Sequence, residues 1–174
     1  MKRRGQVKIT TTRFGEISVD DHRIIAMKGG ILGFEHLKKY ILLVQDEKTP
    51  FLWLQSVEEG ATAFVIVNPQ LVKADYEPLI PDEEVARLGI EDVTDVVLMA
   101  IVTIRSNPFV VTANLRAPVV INVRKRLAKQ VVLEEPDYPI QYNVADNREK
   151  AADESAADPA AQKINKLLSC AAGT

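Results

Sequence analysis

The run Val96-Val97-Leu98-Met99-Ala100-Ile101-Val102-Thr103-Ile104 constrains the fold more than any other stretch of the chain. It is apolar and rich in β-branched residues, and its apolar positions do not alternate with polar ones. A strand of that composition presents apolar side chains on both faces, so both faces must be covered. The fully apolar part, Val96–Val102, is about a third of the roughly 20 residues a membrane helix needs. A strand is therefore expected over Val96–Arg105, with both faces covered along the apolar run.

The surrounding sequence supplies the other strands. Val, Ile, Thr and aromatic residues gather at Gly15–Val19, Arg23–Met27, Tyr40–Gln45, Phe51–Ser56, Ala63–Val67, Val119–Asn122 and Lys129–Leu133. Turn residues separate them: Asp20-Asp21, Gly29-Gly30, Thr49-Pro50, Glu58-Glu59-Gly60 and Asn68-Pro69. One helix is expected at Asp82–Leu88, with Pro81 before it, acids in its first turn and Gly89 at its end. Many short strands at close spacing and only one short helix suggest a mainly β fold, a small barrel or sandwich, and a small antiparallel barrel-like domain with one or two short helices is the one expected.

The chain has 174 residues, of which 47% are apolar and 26% charged, which suits one globular domain. A body over residues 1–144 and a tail over residues 145–174 are expected. The tail is Ala-rich and charged, without an aromatic residue, and cannot bury a core alone. It is expected to be flexible, with a short helix over 160–169 that puts Ile164, Leu167 and Leu168 on one side.

Little in the sequence points to catalysis. A single cysteine, Cys170, cannot form an internal disulfide, and with only His22 and His36 beside it no zinc ligand set is evident. Gly29-Gly30-Ile31-Leu32-Gly33 lacks the spacing of a phosphate-binding loop and reads as a turn. No Ser sits in a nucleophile elbow. Asp20, Asp21 and His22 read as a solvated turn rather than a metal site. Trp53 reads as a core residue. No enzyme, metal, cofactor or small-molecule substrate is expected, although paired carboxylates far apart in sequence stay open. No signal peptide is expected, since no apolar core follows Met1-Lys2-Arg3-Arg4, and a reducing cytoplasmic setting is expected.

The charges are segregated. The total is 22 bases against 24 acids. From Asp75 to Asp95 there are eight acids (Asp75, Glu77, Asp82, Glu83, Glu84, Glu91, Asp92, Asp95) and one base, Arg87. From Arg116 to Lys129 there are five bases (Arg116, Arg124, Lys125, Arg126, Lys129) and no acid. The near-neutral total argues against a general nucleic-acid binder. The expectation is two opposed surfaces, the acidic one able to steer a basic partner or repel RNA. The basic stretch has no interleaved aromatic and does not suggest a stacking platform for single strands. A small-barrel RNA binder using Arg124, Lys125, Arg126 and Lys129 is the alternative.

An ordered set of segments then resembles a known family. These are Phe14-Gly15, Gly30-Ile31-Leu32-Gly33-Phe34-Glu35, Thr49-Pro50-Phe51-Leu52-Trp53-Leu54-Gln55-Ser56, Ala63-Phe64-Val65-Ile66-Val67-Asn68-Pro69, Thr112-Ala113-Asn114-Leu115-Arg116-Ala117-Pro118-Val119-Val120-Ile121-Asn122 and Lys129-Gln130-Val131-Val132-Leu133. Together, over roughly residues 10–143, they resemble the FliW family of bacterial flagellar assembly factors. Asn68 departs from the Asp that often precedes that proline in the family.

The resemblance implies a non-enzymatic cytoplasmic protein with two protein partners. One is flagellin, bound as by a chaperone. The other is CsrA, a small dimeric repressor of flagellin mRNA translation. It implies a partner switch: flagellin occupies the factor and frees CsrA, and flagellin export lets the factor capture CsrA again. It also implies that CsrA is held away from its RNA contact surface and that RNA is obstructed by negative charge. No direct nucleic-acid or membrane contact is implied. On that basis Asp75, Asp82, Glu83, Glu84, Glu91, Asp92 and Asp95 are expected to form or border the CsrA-facing surface. The motif positions Gly33, Phe34, Phe51, Gln55, Ser56, Asn114, Pro118 and Asn122 are expected to be mainly structural. Phe34, Phe51, Trp53 and Phe64 are expected in the core.

Overall fold

The computed structural model describes residues 5–144 together with Lys163, Ile164 and Leu167. The rest of the expected tail lies outside the described residues. Among the described residues eleven strands are formed: β1 Gln6–Thr11, β2 Gly15–Asp20, β3 Ile25–Met27, β4 Lys39–Leu43, β5 Leu52–Ser56, β6 Ala63–Val67, β7 Val96–Ser106, β8 Phe109–Ala113, β9 Val119–Asn122, β10 Leu127–Gln130 and β11 Tyr142–Asn143. Two short helices, α1 Pro69–Val72 and α2 Asp82–Arg87, lie between β6 and β7. The fold is mainly β, as the sequence predicts.

Strand β7 organises the molecule. One edge pairs with β6, through Val65–Val67 against Ala100–Val102. The other edge takes two partners in turn: β9 along Val96–Met99 and β8 along Val102–Ser106. The pairing with β9 closes a seven-stranded barrel in the order β7, β6, β5, β4, β3, β10, β9. All neighbours are antiparallel except β10 with β3. Closure removes the free sheet edges that a set of strands this short would otherwise expose.

Alternation along each strand sorts residues between two cores. Val97 and Met99 face inward with Ile25, Met27, Tyr40, Leu42, Leu54, Ile66, Val119 and Ile121. Ala100, Val102 and Val120 face outward into a second core with Val67, Tyr76, Leu88, Leu115 and Leu133. Helices α1 and α2 and strands β8 and β11 cover this outer layer. The continuous apolar run therefore has both faces buried for its first seven residues, and Thr103–Ser106 emerge into solvent. A third small cluster holds the separate β1–β2 hairpin, through Ile9 and Val19, against Ile41 on the outer face of β4.

Several expectations are revised. β1, β8, β11 and α1 are additional elements. The last barrel strand runs over Leu127–Gln130, two residues earlier than Lys129–Leu133, because Val131 and Leu133 instead donate to the carbonyls of Pro118 and Arg116. Trp53 is not in the core. It lies half-buried on the outer face of β5, where the Arg13 guanidinium stacks 4.4 Å from its ring and Phe14 meets it edge-on at 5.9 Å. Phe34 and Phe64 do pack against the barrel interior, edge to face at 5.0 Å, and Phe51 packs against the outer core.

Several motif positions make local backbone contacts. β8 and β9 lie along the same edge of β7, and residues 114–118 loop out between them. Asn114 shapes that excursion: its Oδ1 accepts the backbone N–H groups of Arg116 (3.1 Å) and Ala117 (3.0 Å). Pro118 stands just before the ladder resumes, where a missing N–H costs nothing. Gly33 has φ +85° in the turn after β3. Ser56 Oγ accepts from the N–H groups of Glu58 and Glu59. Gln55 Nε2 donates to the carbonyls of Ser56, Gly60 and Thr62, so one buried amide shapes the β5–β6 loop.

Candidate partner-binding face

The acidic and basic stretches meet. Residue Val96 at the start of β7 is paired with Asn122 at the end of β9. Barrel closure thus brings the residues that precede β7 beside those that follow β9. The acids sit on the first group and the bases on the second. The expected pair of opposed surfaces is replaced by one mixed face, and the cause is a ladder between segments far apart in sequence.

Helix α2 begins this face. Asp82, Glu83 and Glu84 occupy its first turn, where they complement the helix dipole. It ends where the Leu88 N–H donates to the Glu84 carbonyl, the Ile90 N–H donates to the Val85 carbonyl, and Gly89 takes φ +59°. The positive φ at Gly89 favours glycine, while a Cβ there would meet only the movable end of Lys125, 2.7 Å from its Nζ. Asp92 then caps the short 3-10 turn Val93–Asp95, its Oδ1 accepting the Thr94 N–H at 2.8 Å. That bond holds the Asp92 carboxyl below its usual range.

The bases come from the β9–β10 turn. Asn122 Oδ1 accepts the N–H groups of Arg124 and Lys125, both at 3.1 Å, and fixes the turn. Arg124 meets Glu91 at 2.6 Å and Asp95 at 3.6 Å. Lys125 meets Glu91 at 3.0 Å and donates to the Gly89 carbonyl at 2.8 Å. Lys125 and Arg124 together lower the Glu91 pKa, and Glu91 in turn raises that of Arg124. Lys129 reaches Glu84, and both side chains are mostly shielded from solvent. Arg87 pairs with Glu83 and, at 3.5 Å, with Glu84.

Six of the seven expected acids therefore lie on or beside one face, and most are engaged. Asp82 has no ion-pair partner among the described residues and is exposed. Glu83 keeps a side chain 69% exposed. Asp75 is held apart from this network by its pair with Lys73, which lowers its pKa. Across the face, Asp82, Glu83, Glu84, Glu91, Asp92 and Asp95 meet Arg87, Arg124, Lys125 and Lys129, leaving a modest negative surplus. Of the basic stretch, Arg116 is turned inward to the carbonyls of Tyr138 and Pro136.

Beside this network runs a groove of about 570 Å³. Its walls are apolar, from Ile80, Val85, Ile90, Val93, Val96, Leu98 and Val120, and Glu91, Asp92 and Lys163 stand at its polar edge. Sequence reading did not find it. Its lining comes from four separate segments, and the one available signal is the outward-facing half of the Val96–Ile104 run. Among the described residues no three His, Cys, Asp or Glu side chains form a group that could hold a metal ion. No described helix is long and apolar enough to cross a membrane. The face combines an apolar slot with a charged border.

Comparison with known proteins agrees over most of the chain. The model of the FliW protein family matches residues 8–144. The flagellar assembly factor FliW of Syntrophus aciditrophicus is 54% identical over 143 residues, covering 82% of this chain and 90% of that protein. The factor of the same name from Geobacter sulfurreducens is 43% identical over 136 residues, covering 78% of this chain and 85% of that protein. A crystal structure of the flagellar assembly factor FliW superposes with a TM-score of 0.72 at 38% identity, covering 79% of this chain and 96% of the other.

Proposed function

The chain belongs to the FliW family of flagellar assembly factors, and from that premise we propose that it works in the cytoplasm by switching between two protein partners, CsrA and flagellin. Free of flagellin, it captures CsrA and relieves repression of flagellin mRNA. Loaded with flagellin, it acts as a chaperone and releases CsrA. The reading needs no catalysis.

The observation that carries the proposal is the exposed acidic end of α2. Asp82 is exposed without an ion-pair partner among the described residues, and Glu83, although paired with Arg87, keeps a side chain 69% exposed. Negative charge held beside a basic RNA-binding groove weakens phosphate binding, which depends on local charge and counterion release. In this reading Asp82 and Glu83, flanked by Asp92, face CsrA. Glu84, Glu91 and Asp95 hold the face together instead of contacting the partner. Asp75, paired with Lys73, borders it. The apolar groove next to these acids offers a seat for an amphipathic helix, a common mode of helix capture. Direct RNA binding has less support, because Arg124, Lys125 and Lys129 are paired with acids.

The test changes only exposed positions. Asp82→Lys with Glu83→Lys is expected to reduce CsrA affinity at least about tenfold by calorimetry, to abolish relief of CsrA–RNA binding in gel shifts, and to lower thermal stability only slightly while keeping a cooperative melt. Unchanged affinity with unchanged relief removes the assignment of the face. Failure of the unaltered chain to bind either CsrA or flagellin removes the functional reading itself.

A further inference from the structure

Three described residues of the C-terminal segment sit against the body. Lys163, Ile164 and Leu167 have helical backbone. Ile164 and Leu167 are 6% and 8% exposed and belong to the core cluster that fills the barrel. Lys163 Nζ donates to the carbonyls of Val96 (3.0 Å) and Val93 (3.3 Å), at the end of the barrel where β7 begins. Its charge also helps hold the Asp92 carboxyl below its usual range. Lys163 is at the same time part of the groove border.

The chain between this contact and the body has its own character. Residues 145–162 contain seven alanines and seven charged residues, and no Val, Ile, Leu, Met or aromatic residue. Nothing in that composition can anchor by burial. Eighteen residues separate Val144 from Lys163 in sequence. A flexible connection of about that length gives an effective concentration of order millimolar. Among the described residues the contact is made of one cation on two carbonyls and two aliphatic side chains spaced i, i+3.

We propose that the end of the barrel at the start of β7 is a docking slot for a short helix of pattern Lys-Ile-x-x-Leu, and that the chain's own Lys163, Ile164 and Leu167 are its resident, displaceable occupants. The recognition rule follows from the contact. A cation pairs with the Val93 and Val96 carbonyls, and aliphatic residues one and four positions later enter the apolar cluster. A helix from another protein that presents this pattern must displace the chain's own copy first. Occupancy in cis therefore sets a threshold that weak helices do not pass, and release of the segment re-forms one edge of the groove. The proposal does not depend on which partners the protein serves.

The test uses the full chain and a fluorescein-labelled peptide of residues 158–172 carrying Cys170→Ser. Two chains release the segment differently. Lys163→Glu places a carboxylate against two carbonyls and Asp92 without altering the aliphatic contact. Ile164→Asp with Leu167→Asp removes that contact. By fluorescence anisotropy both chains are expected to bind the wild-type peptide at least about tenfold more tightly than the unaltered chain does, because the competing cis occupant is gone. A peptide carrying Lys163→Glu is expected to bind them at least about tenfold more weakly. Both chains should keep a cooperative melt. Binding no tighter than to the unaltered chain overturns the proposal. Loss of the cooperative melt in both chains also overturns it, since the segment would then be a fixed part of the core.

Discussion

Asn122 Nδ2 donates to the Leu88 carbonyl at 2.9 Å across 34 positions of sequence. The same amide nitrogen reaches the Gly89 carbonyl at 3.2 Å, while its oxygen accepts two N–H groups of the β9–β10 turn. One side chain, 1% exposed, thereby fastens the end of the acidic helix to the basic turn. The ion pairs around it are mostly solvent-exposed and contribute little each. The hydrogen-bonding amide fixes the geometry in which they form.

Asn122→Ala removes that fastening. It leaves a buried helix-end carbonyl without its donor and two turn N–H groups without their acceptor. Each orphaned buried group costs about 1–3 kcal/mol. We expect Asn122→Ala to lower unfolding free energy by about 2–4 kcal/mol in urea titrations, above the sum of nearby surface-charge substitutions. Asn122→Asp keeps the acceptor and loses the donor, and should fall between.

The Lys129–Glu84 pair predicts a different pattern. Their side chains are only 20% and 14% exposed, so neither charge is well hydrated once its partner is gone. Lys129→Met alone should cost about 1–3 kcal/mol, scaled down from a fully buried pair. Adding Glu84→Gln should recover much of that loss, because the stranded charge disappears. A double-mutant cycle by chemical denaturation measures the coupling. Additive losses would show that the two residues act independently.

How much of this could be read from the chain depended on range. The strand Val96–Ile104 and the helix after Pro81 follow from local pattern, and both are present. Strand β1 carries the alternation Val7, Ile9, Thr11, but within a basic start that reads equally well as a charged surface. β8 is set off from β7 only by the short Asn107-Pro108 turn, a weak local boundary. The meeting of acids and bases was not legible at all. Glu91 and Arg124 are 33 positions apart, and only the β7–β9 ladder joins them. Trp53 was misplaced for a related reason: nothing local tells which face of β5 looks into the barrel.

Gly60 and Thr10 give a prediction for the hairpin. A Cβ at Gly60 would stand 1.8 Å from the Thr10 carbonyl oxygen, and the Gly60 carbonyl accepts the Thr12 N–H at 3.1 Å. Backbone must move to admit alanine there, at a cost of about 1–3 kcal/mol. Trp53, the single tryptophan, sits under Arg13 and Phe14 at the tip of that hairpin. Gly60→Ala is therefore expected to red-shift Trp53 emission and to speed amide exchange along β1, with the barrel strands unaffected. An unchanged emission spectrum would mean the hairpin tolerates the displacement.

Glu91 sets an acid limit on the mixed face. Hydrogen bonds and charge from Lys125 and Arg124 hold its folded pKa below the ordinary 4.5. The unfolded chain therefore binds the proton more readily than the folded one. Above about 4.5 the full stabilisation from this group is present, and it is lost as pH falls through the depressed folded value. Asp92 shifts in the same direction from 3.8, through its bond to the Thr94 N–H. In urea unfolding from about pH 7 to about pH 3, the stability gap between the unaltered chain and Glu91→Gln should be widest at neutral pH and narrow below about 4.5. About 1 M salt should narrow the same gap at neutral pH, since the pair is exposed and screened. A gap independent of both pH and salt would show that Glu91 acts through packing, not charge.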